Sequence, residues 1–250
     1  MKNYKKGVFL FRRDLRVDDN TGLIESSKFS EEIIPCFILD PTLLKNTGSR
    51  FSSFRLGFLH ECLLDLDAQL RTHKSYLHFF YGSPSKIVQD LIEIGNIDGV
   101  FANTDYTPFS KKRDINIQKT CKDKADFVSY HDLLLHDIEL IKTQKGSPYK
   151  VFSQFFSKAR ELPIKKPRRF TSSNLSKQKI NFEISQIKVK RYFECSKNKI
   201  PLKGGRTNCL KLLQNLKNLE RYEMERNFPA IDGTSMMSRH NRFGTCSIRE

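Results

Sequence analysis

The feature that most constrains the fold is a regular alternation of short apolar runs with longer amphipathic stretches in the first half of the chain. The apolar runs predict five buried strands, at residues 7–11, 33–39, 76–81, 99–102 and 126–130. The stretches between them predict helices at residues 20–27, 49–71, 84–94 and 110–122. Strands that alternate with helices favour an α/β fold with a five-stranded, doubly wound parallel sheet that is covered on both faces.

The second half of the chain has a different composition and predicts a different organisation. Residues past His136 are rich in Lys, Ser and Asn, and Pro148, Pro163 and Pro167 interrupt any long helix. After Gly204 and Gly205, an apolar stripe of Leu212, Leu216, Leu219 and Tyr222 predicts one helix that ends before Pro229. We therefore expect an α/β domain over residues 1–135, a basic linker over 136–203, and the first part of an all-α domain over 204–250.

The positive charge of the chain is concentrated in one segment. The formal net charge is +16, and residues 142–206 carry 18 Lys and Arg against three acidic residues. Such a segment attracts phosphate polyanions, because binding releases their counterions. On charge alone, a nucleic-acid surface and a solvated lysine-rich linker are equally good interpretations.

Several common kinds of chemistry have no support in the sequence. There is no G-x-G-x-x-G or Walker-type phosphate loop, no G-x-S-x-G elbow and no H-E-x-x-H motif. None of the six cysteines forms a C-x-x-C pair or stands at metal-ligand spacing to a histidine, so we expect buried, reduced thiols and no metal site. No apolar run approaches the ~20 residues that span a bilayer, and we expect a cytoplasmic protein with no membrane contact.

Three arginines follow the first predicted strand. Ligands of α/β sheets bind at the carboxyl ends of the strands, and Arg12, Arg13 and Arg16 lie at such an end. They could hold a phosphate bidentately, or they could pair with Asp14, Asp18 and Asp19 to fix the loop. We favour the structural role.

Five segments together resemble one protein family. FLFRRDLRVDDNTGL (residues 9–23) is similar to the opening strand and loop of DNA photolyases and cryptochromes. The likeness continues in the same order with FANTDYTPFSKKRD (101–114), HDLLLH with GSPYKVFSQFFSKA (131–159), GGRTNCLKLL (204–213) and YEMERNFPAIDGTSMMSRHNRFG (222–244). The resemblance implies a deoxyribodipyrimidine photolyase, which repairs pyrimidine dimers in DNA by light-driven electron donation from FAD.

The same resemblance assigns residues to the two implied partners. Tyr222 matches a tyrosine that contacts the flavin, and Arg226 matches a position that approaches DNA. The segment that matches the family's FAD phosphate-binding turn consists of Thr234, Ser235, Met236, Met237 and Ser238. Hydroxyls and successive backbone N–H groups behind Gly233 suit a diphosphate, although Thr234 or Ser235 could simply cap a helix. No catalytic side chain is assigned.

Departures from the family pattern limit what the resemblance implies. The family's tryptophan relay has no counterpart, since the chain contains no Trp. Phe109 and Ser110 stand where folate-binding members carry Asn and Glu, so the antenna chromophore is unassigned. We expect a truncated or split form that binds FAD poorly alone and needs a separately encoded C-terminal half. The alternatives are a cryptochrome-like blue-light sensor and a standalone α/β module that binds a chromophore or nucleic acid.

Overall fold

A parallel five-stranded sheet forms the centre of the molecule. A computed structural model describes residues 3–44, 52–178 and 203–250. The strands are β1 (Tyr4–Phe11), β2 (Ser30–Leu39), β3 (His78–Tyr81), β4 (Gly99–Asn103) and β5 (Asp126–Tyr130). They are ordered β3-β2-β1-β4-β5, and every neighbouring pair is parallel. The predicted doubly wound α/β fold is therefore confirmed, and the order reverses between β1 and β4, where such sheets bind ligands.

Helices connect the strands and continue after the sheet. The described helices are α1 (Thr21–Phe29), α2 (Ser53–Thr72), α3 (Pro84–Gly95), α4 (Pro108–Cys121), α5 (Phe152–Arg160), α6 (Arg206–Asn215), α7 (Tyr222–Glu225) and α8 (Ser238–Phe243). Short 3-10 turns occupy Pro41–Leu43, Ile138–Leu140 and Leu216–Asn218. No described helix is long and apolar enough to cross a membrane.

Each face of the sheet has its own core. Phe9, Phe11 and Ile33 point to the face that α1 and α2 cover, where α2 contributes a stripe of the buried residues Leu56, Leu63, Leu66 and Leu70. Val8, Leu10 and Ile34 point to the opposite face, against α3 and α4. Alternate residues of a strand point to opposite faces, so a continuous apolar run in β1 supplies both cores.

The single helix predicted from the stripe of Leu212, Leu216, Leu219 and Tyr222 is wrong. Helix α6 ends at Asn215, the 3-10 turn follows, and α7 is a separate turn of helix. Asn218 Nδ2 donates to Asn215 Oδ1 (2.6 Å), a local bond of the kind that competes with regular helix. Leu216 is 40% exposed and Tyr222 is 43% exposed, so these two side chains do not pack in a core that would stabilise one continuous helix.

Residues 204–250 pack directly on the α/β domain. The backbone N–H groups of Gly205 and Arg206 donate to Cys62 Sγ (3.2 Å) and Asp65 Oδ2 (3.0 Å) on α2. Leu15 N, in the loop after β1, donates to Phe243 O at the end of α8 (3.0 Å). Part of the basic linker is also built into the fold, because Leu175 is buried and Ser176 N donates to Ile33 O (2.7 Å).

Replacing Gly244 with alanine is expected to lower the free energy of unfolding by about 2–3 kcal/mol. Gly244 has a φ of 60°, and a Cβ there would lie 2.1 Å from Arg13 O. The matched control is Gly146→Ala, since Gly146 has a φ of 73° and open space around its Cβ position. The control should lose only about 1 kcal/mol, the cost of the left-handed backbone. If urea unfolding shows equal losses of unfolding free energy for Gly244→Ala and Gly146→Ala, the close approach to Arg13 O does not destabilise the fold.

Candidate functional site

A cavity of about 450 Å³ lies at the carboxyl edge of the sheet. Its floor is formed by the ends of β1 and β2, and its walls come from the amino-terminal parts of α2 and α4 and from Arg242 and Phe243 of α8. Leu10, Phe37 and Leu39 make part of the surface apolar. A concave, largely apolar site with a few polar groups is the usual form of a cofactor pocket.

Five arginines line this cavity. They are Arg12 and Arg13 after β1, Arg55 on α2, Arg113 on α4 and Arg242 on α8. The carboxylates that line it are Asp40 and Asp105. The wall therefore carries an excess of positive charge, which favours an anionic ligand.

Arg12 and Arg113 share one carboxylate. Arg12 Nη1 lies 2.9 Å from Asp114 Oδ2, and Arg113 Nε lies 2.9 Å from Asp114 Oδ1. Burial, followed by repulsion from Arg113, lowers the pKa of Arg12 to about 10. The Nη2 atoms of both arginines are buried and have no hydrogen-bond partner among the described residues. Buried donors without partners are costly, and an anion bound between them would satisfy both.

Arg13 and its partners form a second charged part of the cavity lining. Arg13 Nη1 lies 3.3 Å from Asp105 Oδ1, at the end of β4, and Arg13 Nε donates to Arg242 O (3.1 Å). Burial alone would raise the pKa of Asp105, but the charge of Arg13 and a hydrogen bond from Ser110 hold it below its usual value. Burial and the nearby Arg13 lower the pKa of Arg242. The site thus keeps Asp105 ionised and concentrates cations around it.

The arginines after β1 divide into two roles. Arg16 is 2% exposed and pairs with Asp132 (2.5 Å), so its structural role is confirmed. Arg12 and Arg13 are also paired, but they line the cavity as well. The partners predicted from nearness in sequence, Asp14, Asp18 and Asp19, are wrong, because all three arginines pair with carboxylates from distant elements. Asp14 instead accepts from Asn103 Nδ2 (2.6 Å) and Arg12 N (2.7 Å).

The residues predicted to hold FAD lie at two places, Tyr222 at the start of α7 and residues 234–238 in the turn that leads into α8. Tyr222 is 43% exposed and Met236 48%, whereas Met237 is buried in a small cluster with Cys209 and Cys246. Thr234 and Ser238 are exposed and Ser235 is partly buried. These residues do not line the 450 Å³ cavity, so the turn and the cavity are separate candidate sites.

The geometry of this turn fits an anionic group. Met236 has a φ of 52°, and Thr234 Oγ1 lies 3.3 Å from Met236 Sδ. Among the described residues, none accepts a hydrogen bond from the backbone N–H groups of Ser235, Met236 or Met237. Successive N–H groups of this kind form anion-binding nests. Arg226, predicted to approach DNA, is exposed with its guanidinium 5.8 Å from the ring of Tyr222.

Sequence reasoning missed three of the cavity arginines. Arg55, Arg113 and Arg242 come from three helices, and only the fold brings them to the end of β1. The rule that α/β sheets bind ligands at the carboxyl ends of their strands did identify the correct edge. The K-K-R-D run at residues 111–114, at the start of the helix after β4, was the available signal for Arg113.

The fold and the cavity define an α/β protein with a doubly wound parallel sheet and an arginine-lined cavity at the carboxyl edge of that sheet. The family model for DNA photolyase matches residues 7–170. The chain therefore belongs to the DNA photolyase family.

Similar curated proteins include repair enzymes and cryptochromes. The chain is 27% identical to the deoxyribodipyrimidine photo-lyase of a Synechococcus strain, over 97% of this chain and 52% of that protein. It is 29% identical to Cryptochrome-1 of Macaca fascicularis, over 97% of this chain and 44% of the relative. An uncharacterized 31.6 kDa protein of another Synechococcus strain is 26% identical and is covered over 88% of its length. The chain thus spans about half the length of the named photolyase and cryptochrome, and most of the third protein.

Solved structures have the same fold. An archaeal photolyase from Sulfolobus tokodaii, described with two FAD molecules, superimposes with a TM-score of 0.80 at 32% identity, over 98% of this chain and 53% of that one. A class III photolyase from Agrobacterium tumefaciens gives 0.79 at 25% identity, over 97% and 51% of the two chains.

Proposed function

We propose that this chain is the α/β part and first flavin-binding segment of a light-dependent photolyase that repairs pyrimidine dimers in DNA with FAD. The observation that carries the proposal is the match to deoxyribodipyrimidine photo-lyases along 97% of the chain, together with membership of the family. FAD, when reduced and excited by blue light, would supply the electron that splits the dimer. The chain's own part is to hold that cofactor and to contact DNA.

The turn at residues 234–238 would hold the diphosphate of FAD. Its N–H groups at Ser235, Met236 and Met237 have no acceptor among the described residues, and the hydroxyls of Thr234 and Ser238 are accessible. Tyr222, 43% exposed, would contact the flavin. Since these side chains are so exposed, this chain by itself would leave the flavin open to water.

A helical partner segment is part of the proposal. Apolar side chains on α5, α7 and the loops around α7 are exposed, namely Phe152 (74%), Met224 (65%), Phe228 (59%) and Ile231 (47%). Scattered apolar residues are ordinary on protein surfaces, but a series of large ones is typical of an interface. The photolyase and cryptochrome relatives are about twice as long as the matched region. We infer that the helices of the second half, in the same or a separate polypeptide, cover this surface.

The repair activity can be tested in two arms. In one, the chain and reduced FAD are mixed with dimer-containing DNA under blue light; in the other, the helical half of the Synechococcus photolyase is added. We expect little bound flavin and no dimer loss in the first arm, and bound flavin with dimer loss in the second. Bound flavin without repair would favour the cryptochrome-like sensor. Tight FAD binding by the chain alone would contradict the exposed, incomplete site.

The basic segment would supply sequence-independent DNA contacts. Lys165, Lys166 and Arg169 are exposed and lie in an extended stretch before Phe170, which anchors in the core. Arg226 is a further candidate contact from the resemblance. Counterion release makes the affinity of such contacts fall steeply with salt.

Replacing Lys165, Lys166 and Arg169 together with glutamine is expected to make the salt dependence of DNA binding shallower. Each lost phosphate contact should reduce the slope of log affinity against log salt by about 0.9. The charge-matched control changes Lys74, Lys86 and Lys124, which lie outside the segment, to glutamine. An identical slope in both triple variants, measured by fluorescence anisotropy, would show that the segment does not contact DNA.

The cavity supports a second function, the binding of a light-harvesting cofactor. The photolyase from Sulfolobus tokodaii is described with two FAD molecules and a novel light-harvesting cofactor. Here Phe109 and Ser110, which replace the folate-binding pair, lie on the cavity wall. The Nη2 atoms of Arg12 and Arg113, which have no hydrogen-bond partner among the described residues, favour a cofactor with a phosphate, such as a flavin nucleotide.

We also infer a cytoplasmic location. The five described cysteines are unpaired and buried, as expected of a protein that folds in a reducing compartment. Thiol labelling of the protein in intact cells, compared with labelling after lysis, would test this inference.

A further inference from the structure

Cys209 and Cys246 meet in a small core of their own. Cys209 lies on α6 and is 0% exposed, and Cys246 follows α8 and is 6% exposed. They pack together with Met237 in a cluster that is separate from both cores of the sheet. Both cysteine side chains therefore belong to the same buried contact cluster.

A histidine completes the surroundings of this pair. His240 on α8 is 0% exposed, its Nδ1 lies 2.8 Å from Thr245 Oγ1, and its side chain also reaches Cys209. His240 Nε2 is buried without a conventional hydrogen-bond partner among the described residues. The imidazole is therefore held beside the thiols by the chain that carries Cys246.

The two sulfurs are chemically unequal. The interaction with Cys246 lowers the pKa of Cys209 below its usual value, and the same interaction raises the pKa of Cys246. The other described cysteines differ, because burial raises the pKa of Cys62 to about 12 and that of Cys121 to about 11. A thiolate is the form that reacts with oxidants, and Cys209 has the most thiolate character of the described cysteines.

We propose that Cys209 and Cys246 are a redox pair that a hydroperoxide converts reversibly into a disulfide. In the first step the Cys209 thiolate attacks the O–O bond of hydrogen peroxide. An S–O bond forms, the O–O bond breaks, and hydroxide leaves and is protonated to water. In the second step the Cys246 sulfur, after loss of its proton, attacks the sulfenic sulfur of Cys209. The S–S bond forms, the S–O bond breaks, and a second water leaves.

The disulfide would change the part of the chain that is proposed to hold FAD. Residues 209–246 contain Tyr222 and the turn at 234–238, so the bond would close this whole stretch into a loop. Its far end is already anchored, because Arg249 Nε lies 2.6 Å from Asp19 Oδ2 in the loop after β1. Oxidation would therefore fasten α6 to the segment that packs on that loop. The disulfide itself does not depend on the proposed function.

Peptide mapping of the full chain tests the proposal. The reduced protein is treated with hydrogen peroxide under native conditions, and the remaining thiols are blocked with N-ethylmaleimide before trypsin digestion. Trypsin releases Cys209 in TNCLK (207–211) and Cys246 in FGTCSIR (243–249). We expect these two peptides joined as one species that dithiothreitol separates, while the peptides of Cys36, Cys62 and Cys121 carry the blocking group.

Two variants control for accidental oxidation. Cys246→Ser should abolish the joined species, whereas Cys121→Ser, in the core on the other side of the sheet, should leave its yield unchanged. The peptide map of the wild-type protein tests the proposal by itself, even if a variant folds poorly. Recovery of both peptides with the blocking group attached, or joining of Cys209 mainly to Cys62, would overturn the proposal.

Discussion

Replacing Asp132 with alanine is expected to lower the free energy of unfolding by about 3–5 kcal/mol, the range for removal of one partner from a buried ion pair. Asp132 is 1% exposed and contacts two arginines, Arg16 at 2.5 Å and Arg249 at 3.0 Å. Its Oδ1 also accepts from Thr21 N (3.0 Å). Without the carboxylate, the guanidinium groups of Arg16 and Arg249 would lose the negative charge that they share.

Urea unfolding measures this loss, with Asp90→Ala as the control. Asp90 pairs with the exposed Lys86 on α3, and loss of such a surface pair should cost no more than about 1 kcal/mol. Similar losses in the two variants would mean that the network around Asp132 does not stabilise the fold. The partial rescue expected from Arg16→Met combined with Asp132→Ala would show that the loss comes from an unpaired cation.

The same carboxylate makes stability depend on pH. Burial alone would raise the pKa of Asp132, but the charge of Arg16 and hydrogen bonds from Thr21 hold it below its usual value. A depressed folded pKa contributes stability above the unfolded value of about 4, and this is lost as the pH falls through the folded value. The difference in stability between the wild type and Asp132→Asn should therefore shrink in acid.

The sequence predicted the sheet because the apolar runs mark the buried part of each strand. Strand β5 has the predicted bounds, whereas β1 begins at Tyr4 and β2 at Ser30, three residues earlier than expected in each case. These added residues pair with one another, Tyr4 with Ser30 and Lys6 with Glu32, and all four have polar side chains. An apolar pattern does not identify such residues as part of a strand, since they contribute to it through backbone pairing.

The candidate sites were only partly predictable because their groups meet through the fold. Nearness in sequence suggested Asp14, Asp18 and Asp19 as partners of the arginines, yet the true partners Asp105, Asp114 and Asp132 lie about ninety or more residues away. The clustering of Cys209 with Cys246 likewise has no local motif, because α6 and the segment after α8 meet only in three dimensions. The resemblance did identify the turn at 234–238, whose role in binding FAD stays a prediction.

Replacing Arg113 with methionine is expected to weaken binding of flavin mononucleotide to the cavity about 10- to 100-fold, the effect of losing one charge-assisted hydrogen bond. Among the described residues that line the cavity, the buried side-chain donors without partners are the Nη2 atoms of Arg113 and Arg12, and a phosphate within reach of both would accept from both. Riboflavin, which has the same ring system and no phosphate, should lose much less affinity. Quenching of flavin fluorescence measures both ligands.

Two comparisons separate recognition of the phosphate from general damage to the cavity. Arg71→Met removes an exposed arginine from α2, outside the cavity, and should leave both flavins unaffected. Riboflavin binding by Arg113→Met should stay close to that of the wild type. Equal losses for the two flavins would mean that Arg113 only supports the wall through Asp114. In that case the excess of arginines would stabilise the sheet edge, and the cavity would have to select its ligand by shape.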